Sequence, residues 1–168
     1  MAVLFEDLRV LQEAEAVADV VWEVVVTWES FQRETVGKQM VRAIDSVGAN
    51  IAEGYGRFHY GEKLQFLYYA RGSLYETKYW LNRGRSRKLF SEDIANDVAQ
   101  KLSNIARQLN AYAKTTKNQR SQSSKTKMRE RGNIYTANVK EEFDDWELFT
   151  QEEINSLESL NSPNSTIT

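Results

Sequence analysis

Apolar residues recur at alternating spacings of three and four along the first two-thirds of this chain, in separate runs. Val10, Ala14, Val17, Val21, Val24 and Trp28 form the first stripe, and Val36, Met40, Ala43, Val47 and Ile51 the second. Leu67, Ala70, Leu74, Thr77 and Leu81 follow, then Ile94, Val98, Leu102, Ile105, Leu109 and Tyr112. That period places each set on one face of an α-helix. The β-branched residues of the first run favour a strand locally, but a helical period kept up over about 20 residues outweighs them. Each predicted helix is about 30–35 Å long. Breaks are expected near Ser30–Gln32, residues 56–61 and residues 82–91. Ser91 suits an N-cap, with Glu92 and Asp93 in the first turn behind it. Short connections between long helices predict an all-α fold, an antiparallel up-down-up-down four-helix bundle over residues 1–113.

The period stops after residue 113. Residues 114–139 are polar and basic, rich in Ser and Gln, and read as a disordered linker. Residues 140–168 form an acidic-aromatic tail, so the C-terminal part as a whole is expected to be largely disordered. Within it Phe143, Trp146, Phe149, Ile154, Leu157 and Leu160 lie near helical spacing. Such a segment folds onto a partner or back onto the bundle. Phe143, Trp146, Phe149 and Leu157 are the candidate contacts.

Charge sharpens this division. Residues 1–113 hold 14 Lys+Arg and 15 Asp+Glu, close to neutral. Residues 114–131 carry seven basic side chains and one acid, net +6, whereas residues 140–160 carry eight acids and one base, net −7. A balanced domain is thus followed by a basic block and an acidic one. The chain has no Cys, which excludes disulfides and thiolate metal sites. No apolar run approaches the roughly 20 residues of a membrane span, and no signal-peptide pattern opens the chain. A cytoplasmic protein without membrane contact is expected.

The apolar surface exceeds one stripe per helix. Val20, Trp22 and Val25 add to the first helix, and Phe66, Tyr68, Tyr69, Tyr75, Tyr79 and Trp80 to the third. A monomeric bundle rarely exposes a large apolar patch, so the excess predicts a subunit interface. A wider stripe in a well-filled monomer core is the alternative.

Residues 46–57, Ser-Val-Gly-Ala-Asn-Ile-Ala-Glu-Gly-Tyr-Gly-Arg, put Ser46, Asn50 and Glu53 on one helix face among small apolar residues. Polar groups on a packing face need partners or cost stability. Together with Phe5-Glu-Asp-Leu8, Gln39, Arg42-Ala43 and residues 70–76 (Ala-Arg-Gly-Ser-Leu-Tyr-Glu), this stretch resembles a four-helix-bundle family. Its members include proteins encoded in intervening sequences of 23S rRNA genes. The accessory variability determinant proteins of diversity-generating retroelements are similar to them. The resemblance covers about residues 5–113. It implies an antiparallel bundle, a homopentameric ring and no known catalysis. In the retroelement branch it implies binding to a reverse transcriptase and to nucleic acid. Two positions depart from the pattern, Gly48 and Gln32, where the family usually has Pro.

Asn50, Glu53, Ser73 and Glu76 resemble the family's internal polar positions. With Ser46 they are expected to form a structural polar network, the low bulk of Gly72 and Ser73 letting the second and third helices approach. A catalytic pair of Glu53 and Glu76 is the competing reading, unsupported by any other acid–base, nucleophile or metal constellation. No enzyme activity and no cofactor are expected. His59, the single histidine, falls in a loop and has no neighbouring ligand set.

Arg83, Arg85, Arg87 and Lys88 cluster at the end of the third helix, and Arg42 and Arg57 frame the central motif. Cations at a helix C-terminus are ordinary dipole complements. Repeated around a ring, the same patch would bind phosphate through avidity. The basic block adds Lys117, Arg120, Lys125, Lys127, Arg129 and Arg131 as an arm that tracks phosphates. The expected function is a non-catalytic scaffold or accessory protein that binds RNA or an RNA–DNA hybrid, with a reverse transcriptase as a candidate protein partner. The alternative is a protein–protein adaptor that works through the tail without nucleic acid.

Overall fold

The computed structural model describes residues 4–131 and, of the chain beyond, residues 148, 150, 152 and 153. Residues 4–131 form four helical rods, and none of the described residues is in a strand. The first rod is α1 (Arg9–Val25). The second is composite: α2 (Ser30–Gln32), a π-helical turn over Arg33–Gly37, and α3 (Lys38–Gly56). The third is α4 (Tyr60–Ser86) and the fourth α5 (Glu92–Arg131).

Each rod packs on its sequence neighbours and α1 also packs on α5, which closes a four-cornered bundle. Contacting pairs give the directions. Leu11 lies by Gly48 and Val25 by Gly37; Asn50 bonds Ser73 and Gly54 abuts Phe66. Arg120 lies by Gly61 and Arg85 bonds Asn96. In every pair one index rises as the other falls, so the bundle runs up-down-up-down.

The stripes read from the sequence are its core. Met40, Ile44, Ile51, Leu67, Leu74, Leu81, Leu102, Ile105 and Leu109 are fully buried. Each stabilises by about 1.5–3 kcal/mol relative to an exposed side chain. Thr77 occupies its place in the third stripe by donating its hydroxyl to the Ser73 carbonyl at 2.8 Å. Ser91 caps α5, accepting the Ile94 N–H at 3.3 Å.

Several expectations need correction. The first break falls before Ser30, because α1 stops at Val25. The π turn that follows presses Gly37 against α1, where a Cβ would meet Val25 Cγ1 at 2.6 Å. Val25 is therefore core, 4% exposed, and not interface. The third helix runs on through residues 82–86, because Gly84 gives room to the Phe90 ring. Gly72 is exposed with open space around it; the close approach of α3 and α4 is at Gly54, whose Cβ would stand 3.1 Å from Phe66 Cβ. The linker expected to be disordered from residue 114 is helical through Arg131. A helix already nucleated propagates at little cost through Lys, Arg and Gln. Ala113 and the hydroxyl-satisfied Thr116 extend its buried side.

Candidate nucleic-acid interface

The basic residues fall into two groups at opposite ends of the bundle. The register of α3 on α4 sets Arg42 near the level of Leu81, and Arg57 near Phe66. Along α3 these arginines are separated by about 22 Å. Arg57 therefore cannot join Arg42, Arg83, Arg85, Arg87 and Lys88 in one patch on a single protomer.

At the first end a tight C-terminal turn arranges the cations. Lys88 has left-handed backbone, φ 56°. Its N–H donates to the Arg85 carbonyl at 2.9 Å, and the Leu89 N–H to the Gly84 carbonyl at 2.9 Å. This is the paired bonding of a Schellman turn, in which glycine is the usual left-handed residue. Arg85 is spent on structure: its guanidinium pairs with Glu92 and donates to Asn96 Oδ1 at 3.0 Å, tying α4 to α5. Arg83 donates to Ser86 Oγ at 3.0 Å. Arg42, Arg87 and Lys88 are exposed.

At the other end Arg57 is likewise structural. It pairs with Glu53 and lies over the Phe66 ring at 4.7 Å. Lys63 donates to the Tyr55 carbonyl at 3.0 Å, closing the end of α3. Arg120 stands beside Gly61, where α4 begins, and α5 continues from there to Arg131. That continuation is about 16 Å of helix past the start of α4. Lys125, Lys127, Arg129 and Arg131 fall within this helical stretch.

The expected polar network forms in part. Asn50 Nδ2 donates to the Ser46 carbonyl at 2.8 Å and reaches across to Ser73 Oγ at 3.4 Å. Ser46 and Ser73 return their hydroxyls to the Arg42 and Tyr69 carbonyls. The carboxylates stay outside this seam. Glu53 is exposed on Arg57, and Glu76 is exposed, accepting the Trp80 indole N–H at 3.4 Å. Asn50–Ser73 is the cross-helix link; the two glutamates are each satisfied one turn along their own helix. Among the described residues no group of His, Asp and Glu has the arrangement of a metal site.

Two features were not legible beforehand. A cavity of about 240 Å³ opens between α1 and α3, lined by Phe5, Leu11, Glu15, Asp45 and Gly48 among others. Burial, and then the nearby Asp19, raise the Asp45 carboxyl above its ordinary value. Lys78, which no sequence signal singled out, is half-buried and holds the C-terminal segment. Of the tail residues expected to make contacts, Phe143, Trp146, Phe149 and Leu157 lie outside the described residues.

No helix among the described residues is long and apolar enough to cross a membrane. No curated protein matches this chain. A family model, described as 23S rRNA-intervening sequence protein, matches residues 6–111, from the turn before α1 to the last core turns of α5. With the bundle described above, that match over more than half of its length makes the chain a member of the 23S rRNA-intervening sequence protein family.

Proposed function

We propose that this protein is a non-catalytic accessory scaffold of the cytoplasm that self-associates and binds RNA or an RNA–DNA hybrid. One observation carries the reading: α5 leaves the bundle as a helical rod whose last turns bear Lys125, Lys127, Arg129 and Arg131. Helical spacing groups Lys125 with Arg129 and Lys127 with Arg131, and each pair adds cationic charge that attracts a phosphate backbone. The family's description names an intervening sequence of 23S rRNA, a place of coding, which hints at RNA association. In the retroelement branch the protein partner would be a reverse transcriptase.

Self-association is supported by where the exposed aromatic residues lie. Trp22 on α1 is 57% exposed, and Tyr69, Tyr75 and Tyr79 on α4 are 51%, 45% and 56% exposed. Phe66, Tyr68, Trp80 and Val20 are half-buried, with Phe66 packed edge-on against Tyr69 and Trp80 against Tyr79. Since α1 and α4 occupy opposite corners, one protomer offers two different apolar faces pointing apart. Unlike faces meeting head to tail generate a ring when the rotation closes. A homopentamer is the form we propose, and it would multiply each modest cationic group through avidity.

The test is titration of the full-length chain with labelled single-stranded RNA and RNA–DNA hybrid at two salt concentrations. Binding that weakens steeply with salt is expected, with a shallower slope when Lys125, Lys127 and Arg129 are changed to Glu. Absence of binding at low salt would overturn the nucleic-acid role. The second reading, a protein–protein adaptor, is favoured by the burial of Leu148, 3% exposed, which places part of the tail on a helical surface.

A further inference from the structure

We propose that α4 carries, at Lys78, a peptide-recognition site, and that its occupant is this chain's own segment around Leu148, Thr150 and Glu153. The inference stands apart from nucleic-acid binding and holds whether or not that role is correct.

The site reads three things at once. Leu148 is buried and joins the hydrophobic cluster of the bundle. Its carbonyl accepts a hydrogen bond from Lys78 Nζ at 2.8 Å. The same ammonium pairs with Glu153 Oε2 at 3.0 Å. The Lys78 side chain is only 19% exposed, so water screens this pair less than an open surface pair.

The bound segment is ordered by its own chemistry. The Thr150 N–H donates to Glu153 Oε2 at 2.7 Å, and the Glu153 N–H to Thr150 Oγ1 at 3.2 Å. These reciprocal bonds are a capping box, the start signal of a helix. One oxygen, Glu153 Oε2, serves both the cap and Lys78. Local folding and docking therefore share an atom, and each favours the other. Burial pulls the Glu153 carboxyl up, but the Thr150 N–H and Lys78 outweigh it and leave it below its ordinary value. The ligand class is a short acidic segment with the signature Leu-x-Thr-x-x-Glu, presented as a helix start.

Chain length permits the chain to occupy its own site. The register of α5 on α4 puts Lys78 opposite Ser103. From that level to Arg131 the helix rises about 42 Å. Residues 132–147 reach about 54 Å when fully extended, so they can return Leu148 to Lys78 on the same bundle.

The chain has no cysteine, which makes engineered pairs clean reporters. Glu152 and Asn82 are exposed, close to Glu153 and one turn beyond Lys78 respectively. In a full-length Asn82→Cys, Glu152→Cys protein, a short thiol cross-linker is expected to join the two within one chain. Adding Lys78→Glu should lower the yield at least about tenfold while helix content by circular dichroism is unchanged. Thr150→Ala, which leaves Lys78 intact, should lower it less. An unchanged yield with Lys78→Glu would overturn the site. Cross-links that form only between mixed singly substituted chains would assign the occupant to a second copy and overturn the own-chain assignment. A measurement without substitutions is also available, because residues 141–168 contain no Lys or Arg. After trypsin cleavage that fragment should stay with the bundle on gel filtration; its quantitative release at low salt would overturn the proposal.

Discussion

Gly84 and Phe90 occupy the same space at the α4–α5 turn: a Cβ on the glycine would stand 2.6 Å from the ring's Cε2 and 2.8 Å from Cδ2. On its other side the ring packs edge-on against Trp28, centroids 5.0 Å apart, which limits its retreat. Three elements are thereby locked at one end of the bundle. Gly84→Ala improves helix propensity by up to about 1 kcal/mol. The steric clash nonetheless makes it destabilising by about 1–3 kcal/mol. A lower melting temperature by circular dichroism checks this; a higher one would show that Phe90 moves freely.

Lys88 holds a left-handed conformation that costs a side-chain-bearing residue about 1 kcal/mol. Lys88→Gly is expected to stabilise the protein by up to that amount, because glycine adopts this conformation without strain. If the cations at this end contact phosphate, the same variant binds RNA more weakly while melting higher. Measuring both on one preparation separates fold from function.

Asp45 and Glu153 predict opposite responses to acid. The folded-state value of Asp45 is raised, by burial and then Asp19, so its contribution to stability falls as the pH rises past 3.8 and through that raised value. Asp45→Asn should therefore be more stable than the parent at neutral pH. The group is largely solvated, so the gain is small, and it disappears as the pH drops below 3.8. Melting curves of the two proteins across this range should converge in acid. Divergence there would contradict the assignment.

Glu153 is depressed despite its partial burial, held down by the Thr150 N–H and Lys78. Its contribution is present in full above 4.5 and is lost as the pH falls through the lowered folded-state value. Release of the cross-linkable tail contact in that window, with α1–α5 still folded, is the expected result. Glu153→Gln keeps a capping side chain but removes the charge, and should flatten this dependence.

The Asn50–Ser73 link predicts a modest effect. Asn50→Ala removes one cross-helix bond, while Ser73 keeps the Tyr69 carbonyl at 3.1 Å. A loss of about 0.5–1.5 kcal/mol in chemical denaturation is expected. A loss several times larger would mean that the seam holds more of the bundle than this bond.

Hydrophobic period located the four rods and their core stripes from Val10 to Leu109, while residue type and charge counts located the Ser91 cap and the charge blocks after residue 113. These depend on spacing and residue type within one segment, which a linear chain displays directly. Contacts between distant residues are not displayed that way. Gly37 against Val25, Gly84 against Phe90 and the close approach at Gly54 instead of Gly72 exist only once crossing points are set. The same holds for the cations: Arg42 and Arg57, which frame one motif in the sequence, lie at opposite ends, and Arg57 and Arg85 are used to join helices. Residues 114–131 lack an apolar stripe and read as disorder, yet continue as helix because α5 was already nucleated on the core. Lys78 is the clearest case. Its role comes from a segment some seventy residues away, brought to it by packing.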